Sequence, residues 1–452
     1  MSIKVDENAI TINKTDGVSL YSVGTLVYSR ASLFTLFAWL LWGNFIFTIM
    51  SSVMPYLLPI LLKGHGASNK QIAFLGSTIY MLTNMILNPI LGYRSDRYRS
   101  RWGRRRPFIL WTTPFVTVFM ALIPFAPEIL AFFSKNSAIA QLLSYSPITP
   151  LILVFGLFII SFQFFEMFVA SVYYYLIPDV VPKSLLGRFY GLFQLFSALG
   201  SLIFNYFLYG LATNYMNLLF VGIAVVYGLT MMVVCWRVKE GEYPPPPQEK
   251  QGRFWSGINN YVRECFGTSY FWWVHLAKAC VVWFGISGIF MVFFYRNEMG
   301  FSLDGFGKLM ALGNVLSFLI VFPAGLFLDK LGSHKMLIFT QLLCTIICVL
   351  AFFTINTKWL AGFWLIAFSC ICLTLPQLVT RKWSADIYPP ELYGQFASAS
   401  AIFSSVGSVG LSLLCGVIMD WLNAYRFFWL WSAFFAFLGA VLGLVVYLKA
   451  EK

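Results

Sequence analysis

Long runs of apolar residues, separated by short polar breaks, follow one another along most of the chain. An α-helix needs about 20 mainly apolar residues to cross a hydrocarbon layer of about 30 Å. The runs have this length or more, so each one predicts a membrane-spanning helix. The pattern predicts twelve helices, at 33–62, 70–93, 107–132, 149–177, 187–212, 217–236, 269–295, 304–328, 336–355, 359–380, 394–419 and 425–448.

The longest polar segment inside the chain separates the sixth predicted helix from the seventh. It contains the run YPPPPQ at 243–248, which cannot lie inside a helix. The chain therefore divides into six helices plus six. We predict a cytosolic N-terminal segment 1–32, a bundle 33–236, a cytosolic linker 237–268, a second bundle 269–448 and a cytosolic tail 449–452.

The composition excludes a water-soluble fold. Of the 452 residues, 59% are hydrophobic and 11% are charged, whereas soluble domains carry about 25% charged residues. The aromatic share of 19% agrees with Trp and Tyr anchors at membrane interfaces. We predict an all-α membrane protein with twelve transmembrane helices in two pseudo-symmetric six-helix bundles.

Seven arginines lie within 13 residues, between Arg94 and Arg106. In a soluble protein this run would indicate nucleic-acid binding, but here predicted spans flank it. If the run, both termini and the linker lie on one side, that side holds 23 of the 31 Lys and Arg residues. The positive-inside rule makes it cytoplasmic. We expect a multi-pass protein of the cytoplasmic (inner) membrane with both termini cytoplasmic and no nucleic-acid partner.

Residue spacings recur at corresponding places in the two halves. A Gly-x3-Asp-basic pattern ends helices 2 and 8, and an Asp-x2-Pro-x4-Gly pattern precedes helices 5 and 11. The first comprises Gly92, Asp96 and Arg97 with Gly325, Asp329 and Lys330; the second comprises Asp179, Pro182 and Gly187 with Asp386, Pro389 and Gly394. Internal repeats of this kind are typical of transporters.

The stretch NPILGYRSDRYRSRWGRRRPFIL at 88–110 resembles the loop after helix 2 in the major facilitator superfamily. Its extended form resembles the glycoside–pentoside–hexuronide:cation symporters and the related sucrose transporters. The resemblance implies a cytoplasmic gate built from charged residues, although topology signalling alone would also explain the arginines. The predicted gate residues are Gly92, Asp96, Arg97, Gly103, Arg104, Arg105, Arg106, Asp179, Arg188, Asp329, Lys330, Arg381 and Asp386.

Ionisable residues deep in the predicted spans are few. Glu166 lies in helix 4 and Lys278 in helix 7, with His275 one turn before Lys278. Such groups are costly in the membrane and mark functional sites, and the resemblance places helices 4 and 7 at the central cavity. We expect all three to take part in proton coupling. Glu166 and Lys278 could instead form a static ion pair, and His275 could serve only as a hydrogen-bonding residue.

Helix 2 departs from the resembling symporters. They carry two acids four residues apart where this chain has Asn84 and Asn88. Two neutral amides cannot provide the field of two carboxylates around a cation. We therefore expect no sodium site of that design, no other metal and no cofactor, which leaves the proton as the coupling ion.

Sugar recognition requires hydrogen-bonding amides and flat aromatic faces, although each such residue could equally serve packing. The candidates at membrane depth are Trp39, Trp42, Asn44, Asn84, Asn88, Gln163, Tyr173, Trp283 and Gln377.

The leading functional hypothesis is a secondary transporter, expected to be a monomer, that moves a sugar or glycoside together with protons. A uniporter or exporter of another small polar solute is the alternative within transport. A non-transporting sensor would be expected to carry a cytosolic output domain, whereas the longest polar interior segment, 237–268, is short. The sequence contains neither an HExxH motif nor paired membrane aspartates, so we expect no enzymatic activity.

Overall fold

A computed structural model describes residues 20–135, 149–242, 261–389 and 392–450. Within these ranges the chain forms twelve long helices in chain order, which confirms the all-α membrane architecture. Their bounds are α1 Arg30–Gly64, α2 Asn69–Ala73 with Phe74–Thr78 and Ile79–Arg97, α3 Arg106–Phe133, α4 Pro150–Val180, α5 Lys183–Ile203 with Phe204–Leu208, α6 Ala212–Arg237, α7 Ser269–Glu298, α8 Leu303–Leu331, α9 Ser333–Thr354, α10 Lys358–Ile387, α11 Tyr393–Leu422 and α12 Phe428–Ala450.

Eleven helices of the described chain are long and apolar enough to cross a membrane. The segment predicted as the second span, 70–93, is helical from Asn69 to Arg97 but is not among the eleven. Several side chains of this helix, including that of Asn88, are not among the described ones, so the count of eleven does not cover its whole length. The apolar runs located the ends of the helices to within about five residues, except that α10 extends to Ile387, seven residues beyond its predicted end.

Several helices contain irregular turns that apolar patterning does not predict. Wider π turns occur at Phe74–Thr78, Phe204–Leu208, Phe294–Glu298 and Phe368–Cys372, and a 3-10 segment covers Gly285–Phe290. Such turns shift the helical register by part of a turn and concentrate at functional sites in other proteins.

A small β-hairpin precedes α1, within the segment predicted only as cytosolic. Strands β1 (Tyr21–Val23) and β2 (Leu26–Tyr28) pair antiparallel, and Gly24 at the turn has a positive φ of 55°. The backbone N–H of Glu242 donates to the Thr25 hydroxyl at 2.8 Å. The hairpin is thus attached to the start of the linker, of which residues 243–260 lie outside the described ranges.

The contacts divide the chain into two compact units. Unit 1 comprises Met1–Ser51, Ile86–Gly200 and Phe220–Gln248; unit 2 comprises Ser52–Met85, Ser201–Leu219 and Glu249–Lys452. Parts of helices 1, 2 and 5 therefore pack in the same unit as the second half of the chain. The sequential bundles 33–236 and 269–448 remain a prediction.

Each unit has its own apolar core. In unit 1, Phe155, Phe162 and Val172 of α4 are at most 1% exposed, and α4 packs along α3. In unit 2, α12 packs along α7 and α9, with Trp429 fully buried. Many large apolar side chains on the helix surfaces are exposed, as expected where lipid rather than water is the solvent.

Candidate functional site

Two arginines of the basic loop bind one carboxylate in unit 1. Arg104 donates to Asp179 through Nη2 at 2.5 Å and Nε at 3.1 Å. Arg105 donates to the same carboxylate through Nε at 3.1 Å and also to the Ser95 hydroxyl. The side chains are only 18% (Arg104), 6% (Arg105) and 13% (Asp179) exposed. Removing one member of so buried a pair leaves an uncompensated charge, so the cluster fixes the loop against the end of α4.

Glu240, just after α6, caps the start of α3. Its carboxylate accepts the backbone N–H of Arg104 at 2.9 Å, of Arg105 at 3.0 Å and of Arg106 at 2.7 Å. A helix N-terminus attracts negative charge because its first N–H groups lack intrahelical partners. Gly103 leaves room for this carboxylate: its φ is 101°, and a Cβ there would lie 2.6 Å from Glu240 Cδ.

The remaining predicted gate residues do not join this cluster among the described side chains. Arg188, Lys330, Arg381 and Asp386 are exposed. Only the backbone is described for the other predicted residues, which lie on helical segments: Asn88, Gly92, Asp96, Arg97 and Asp329.

The predicted residues of α4 face the interior of unit 1. Gln163 is 1% exposed and Glu166 is 6% exposed. Glu166 lies near the phenol of Tyr227 on α6, and it forms no salt bridge with a described residue of its unit. Tyr173 is also buried, and its hydroxyl donates to the Leu40 carbonyl at 2.5 Å. The face combines an acid with hydroxyl groups inside an apolar surround.

Two polar atoms near this face have no hydrogen-bond partner among the described residues. They are Oδ1 of Asn44 on α1 and the hydroxyl of Tyr227. Asn44 Nδ2 donates to the Phe193 carbonyl and the Ser197 hydroxyl, each at 2.8 Å. The amide of Asn44 therefore joins α1 to α5 and keeps its carbonyl oxygen available. Buried polar atoms without partners in a native fold are rare and call for water or a ligand.

In unit 2, both ring nitrogens of His275 on α7 are bonded. Nε2 lies 3.1 Å from the Cys265 carbonyl, and Nδ1 lies 2.6 Å from the Ser400 hydroxyl. A carbonyl only accepts, so Nε2 carries the proton and neutral His275 accepts from Ser400. The Tyr388 hydroxyl lies 2.5 Å from Ser400, and Lys278 lies over the Tyr388 ring at 5.3 Å. His275 thus ties the end of the linker to α11.

Glu166 and Lys278 belong to different units, so their pairing stays a prediction. Trp283 Nε1 donates to the Ser404 carbonyl at 3.0 Å and its ring packs against Gly407. The other predicted substrate residues occupy varied positions: Trp39 lies under Arg237, Trp42 stacks on Phe45 with 45% exposure, Gln377 is exposed, and Asn84 is half-buried.

A third cluster in unit 2 joins the start of α2 to the end of α11. The Asp420 carboxylate accepts the backbone N–H groups of Asn69 and Lys70, each at 2.9 Å. Asn69 Oδ1 accepts from Lys63 Nζ at 3.0 Å and from the Tyr425 hydroxyl at 3.1 Å. The charge pattern predicts this end to be extracytoplasmic. We call these five residues the α2–α11 contact.

Glu240, Asp420 and Ser400 were not predicted from the sequence. Asp420 is an acid in the last turn of an apolar span, and Glu240 follows a span on the side of the basic loop. Both acids lie at the end of a span, on the side of the membrane where the topology also places the N-terminus of another helix. This position could have identified Asp420 and Glu240 as capping residues. Ser400 carries no comparable signal, since serine is common in α11. Among the described residues, no group of three His, Cys, Asp or Glu residues could hold a metal ion.

The profile of the Major Facilitator Superfamily matches residues 40–409. Over 60 residues the chain is 40% identical to the general alpha-glucoside permease of Schizosaccharomyces pombe, a match that spans 13% of this chain and 11% of that permease.

Several solved transporters share the fold at low sequence identity. The nucleoside transporter NupG has a TM-score of 0.66 at 11% identity, over 91% of this chain and 99% of its own. A D-xylose-proton symporter has a TM-score of 0.64 at 15% identity, over 91% and 97%. A bacterial homolog of the human lysosomal transporter Spinster has 0.64 at 15% identity, over 93% and 99%. With a profile match over most of its length, and with eleven membrane-length helices in the part that the structure describes, the chain belongs to the major facilitator superfamily of transporters.

Proposed function

We propose that the chain is a secondary active transporter that moves a sugar or glycoside by alternating access, coupled to protons. The sugar assignment rests on the loop sequence SRWGRRRPFIL and on the partial match to an alpha-glucoside permease. Fold similarity to a D-xylose-proton symporter agrees with both the solute class and the ion.

The coupling proposal rests on the burial of Glu166 without a neutralising partner among the described residues of its unit. This residue is 6% exposed on a membrane-spanning helix, and no described residue of its unit neutralises it by a salt bridge. A charged group in such a place is costly, so the carboxyl favours its protonated form there and ionises when water reaches it. This difference in proton affinity between two states is what a proton carrier requires.

Two buried polar atoms of unit 1 suit a hydroxyl-rich solute. The Asn44 carbonyl oxygen and the Tyr227 hydroxyl have no partner among the described residues, and the first accepts while the second can also donate. Sugar hydroxyls, which donate and accept, would satisfy both groups.

The α2–α11 contact supports alternating access. Asp420 binds a helix N-terminus through two hydrogen bonds, and Thr78 of α2 lies 2.5 Å from the Ser412 hydroxyl of α11. Besides these polar bonds, Gly416 of α11 lies close to Asn69, Lys70 and Ala73 of α2, so the two helices also pack directly. We expect these polar bonds and this packing to separate when the transporter opens toward that side.

Uptake into vesicles with imposed gradients tests the proposal. Vesicles that contain the purified protein should accumulate the sugar when the external solution is acidic, and this accumulation should not require sodium. A thermal-shift screen of mono- and disaccharides at two pH values identifies the solute to use. Accumulation that depends on sodium at fixed pH would contradict the coupling scheme.

The alternatives predict different results in the same vesicles. A uniporter or exporter of another polar solute shows counterflow without proton movement, and the fold similarity to nucleoside and metal transporters makes those solutes the next to screen. A sensor binds its solute with no counterflow.

A further inference from the structure

A cavity of about 420 Å³ lies at the basic end of unit 1, between the end of α6 and the start of α3. It belongs neither to the α4 face nor to the Arg104–Asp179 cluster. Its wall combines two arginines, two tryptophans and two aliphatic side chains: Arg101, Arg106, Trp102, Trp236, Leu110 and Met232. We call it the α3–α6 cavity.

A hydrogen bond to α6 holds one of the positive charges at the wall of the cavity. Arg106 Nε donates to the Cys235 carbonyl on α6 at 2.5 Å, which fixes the guanidinium at the wall. The two acids bonded to this loop are engaged elsewhere. Asp179 binds Arg104 and Arg105, and Glu240 binds backbone N–H groups. Neither carboxylate accepts a hydrogen bond from the guanidinium groups of Arg101 or Arg106.

The remaining wall is apolar and reaches the surface. Trp102 is 54% exposed and Trp236 is 70% exposed, and Leu110 and Met232 lie one to two turns inside the spans that begin and end here. Trp is enriched where headgroups meet hydrocarbon. The ligand that fits this wall best therefore carries an anionic group next to an apolar chain. A purely polar anion would leave the apolar part of the wall without a partner.

We propose that the α3–α6 cavity binds the phosphate of an anionic phospholipid from the leaflet on the basic side. Arg101 and Arg106 donate to the phosphate oxygens, and the first methylenes of the acyl chains lie along Leu110 and Met232. Basic pockets between membrane helices on the cytoplasmic side bind such headgroups. The cavity volume suits one headgroup rather than a whole lipid.

The site is coupled to the basic loop. Arg106 contributes its side chain to the cavity and its backbone N–H to the Glu240 cap. A bound lipid therefore favours the state in which the cap and the Arg104–Asp179 cluster are formed. This inference does not depend on which solute the protein carries.

Native mass spectrometry of the full chain in neutral detergent, titrated with phosphatidylglycerol or phosphatidylcholine, tests the site. We expect one phosphatidylglycerol to be retained in preference to phosphatidylcholine. Each arginine near a lipid surface contributes enough to change the affinity about fivefold. Arg101→Gln should weaken retention about fivefold, and Arg101→Gln with Arg106→Gln about 25-fold. The exposed Arg263 offers a control, and Arg263→Gln should leave retention unchanged.

A second variant guards against misfolding, since Arg106→Gln also removes the bond to Cys235. Leu110→Trp keeps both arginines and fills the cavity, so it should abolish the preference for phosphatidylglycerol. Wild-type retention in the double arginine variant or in Leu110→Trp would overturn the proposal. Equal retention of phosphatidylcholine would also overturn it. Displacement of phosphatidylglycerol by equimolar inorganic phosphate or glycerol phosphate would assign the site to a soluble anion instead.

Discussion

Replacing Asp420 with alanine should weaken the α2–α11 contact without altering the apolar packing around it. Both carboxylate oxygens accept a backbone N–H, from Asn69 and from Lys70, at 2.9 Å. Alanine keeps the helix of α11 and removes both acceptors together with the negative charge at the N-terminus of α2. Gly416, one turn earlier on α11, approaches the backbone of the same α2 residues closely and stays unchanged.

The size of the effect follows from these bonds. Loss of a capping acceptor costs about 1 kcal/mol, and loss of a charge at a helix N-terminus costs about 0.5 kcal/mol. The contact should therefore lose about 1.5 kcal/mol, which corresponds to about a tenfold more frequent opening.

Hydrogen–deuterium exchange of the peptide that covers residues 69–78 measures this opening. Exchange in Asp420→Ala should be about tenfold faster than in wild type. Asp304→Ala provides the control, because Asp304 lies in the first turn of α8 and its ion pair among the described residues is with the exposed Lys308, at 2.7 Å. Unchanged exchange in Asp420→Ala, or equal acceleration in both variants, would show that Asp420 does not hold the start of α2 against α11.

Three further substitutions test other contacts. Glu240→Ala removes the carboxylate that accepts three backbone N–H groups at the start of α3 and should destabilise the protein by about 1–2 kcal/mol. The control is Glu242→Ala, which changes an exposed acid; equal melting temperatures of the two variants would contradict the capping role of Glu240. Burial raises the pKa of the Cys265 thiol, so little reactive thiolate is present near neutral pH and N-ethylmaleimide should label it slowly. His275→Ala releases the Cys265 carbonyl and should accelerate that labelling, as peptide mass spectrometry would show; an unchanged rate would mean that His275 does not hold this segment. A Cβ at Gly416 would lie 2.9 Å from the Asn69 carbonyl oxygen, so Gly416→Ala should speed exchange at 69–78, and wild-type protection would show that the helices adjust.

The sequence alone predicted the helices and their order because the membrane imposes a simple rule. Every span must be apolar over about 20 residues and satisfy its own backbone, and this rule shows in the hydropathy pattern. The π turns, such as the one at Phe74–Thr78, and the hairpin of β1 and β2 lie outside the rule. They depend on local packing and on the linker contact of Thr25, which no periodicity reports.

The sequence predicted which charged residues belong to the candidate site, but it predicted fewer of their hydrogen-bond partners. The repeated Asp-x2-Pro-x4-Gly pattern pointed to Asp179, and the structure pairs it with Arg104 and Arg105. Glu240 escaped prediction because its hydrogen-bond donors are backbone N–H groups, which every non-proline residue carries and which no residue type reveals. For Asn44, the sequence does not distinguish an amide that packs helices together from one that binds solute. In the structure its Nδ2 donates to α5 and so joins α1 to α5.

A paired flux measurement in proteoliposomes determines whether Glu166 carries the transported proton. Glu166→Gln in proteoliposomes should keep solute counterflow while losing proton-driven accumulation and the accompanying internal acidification. Glu128→Gln, which changes an exposed acid of α3 in the same way, should retain all three. Full proton-driven accumulation by Glu166→Gln would show that Glu166 does not carry the proton.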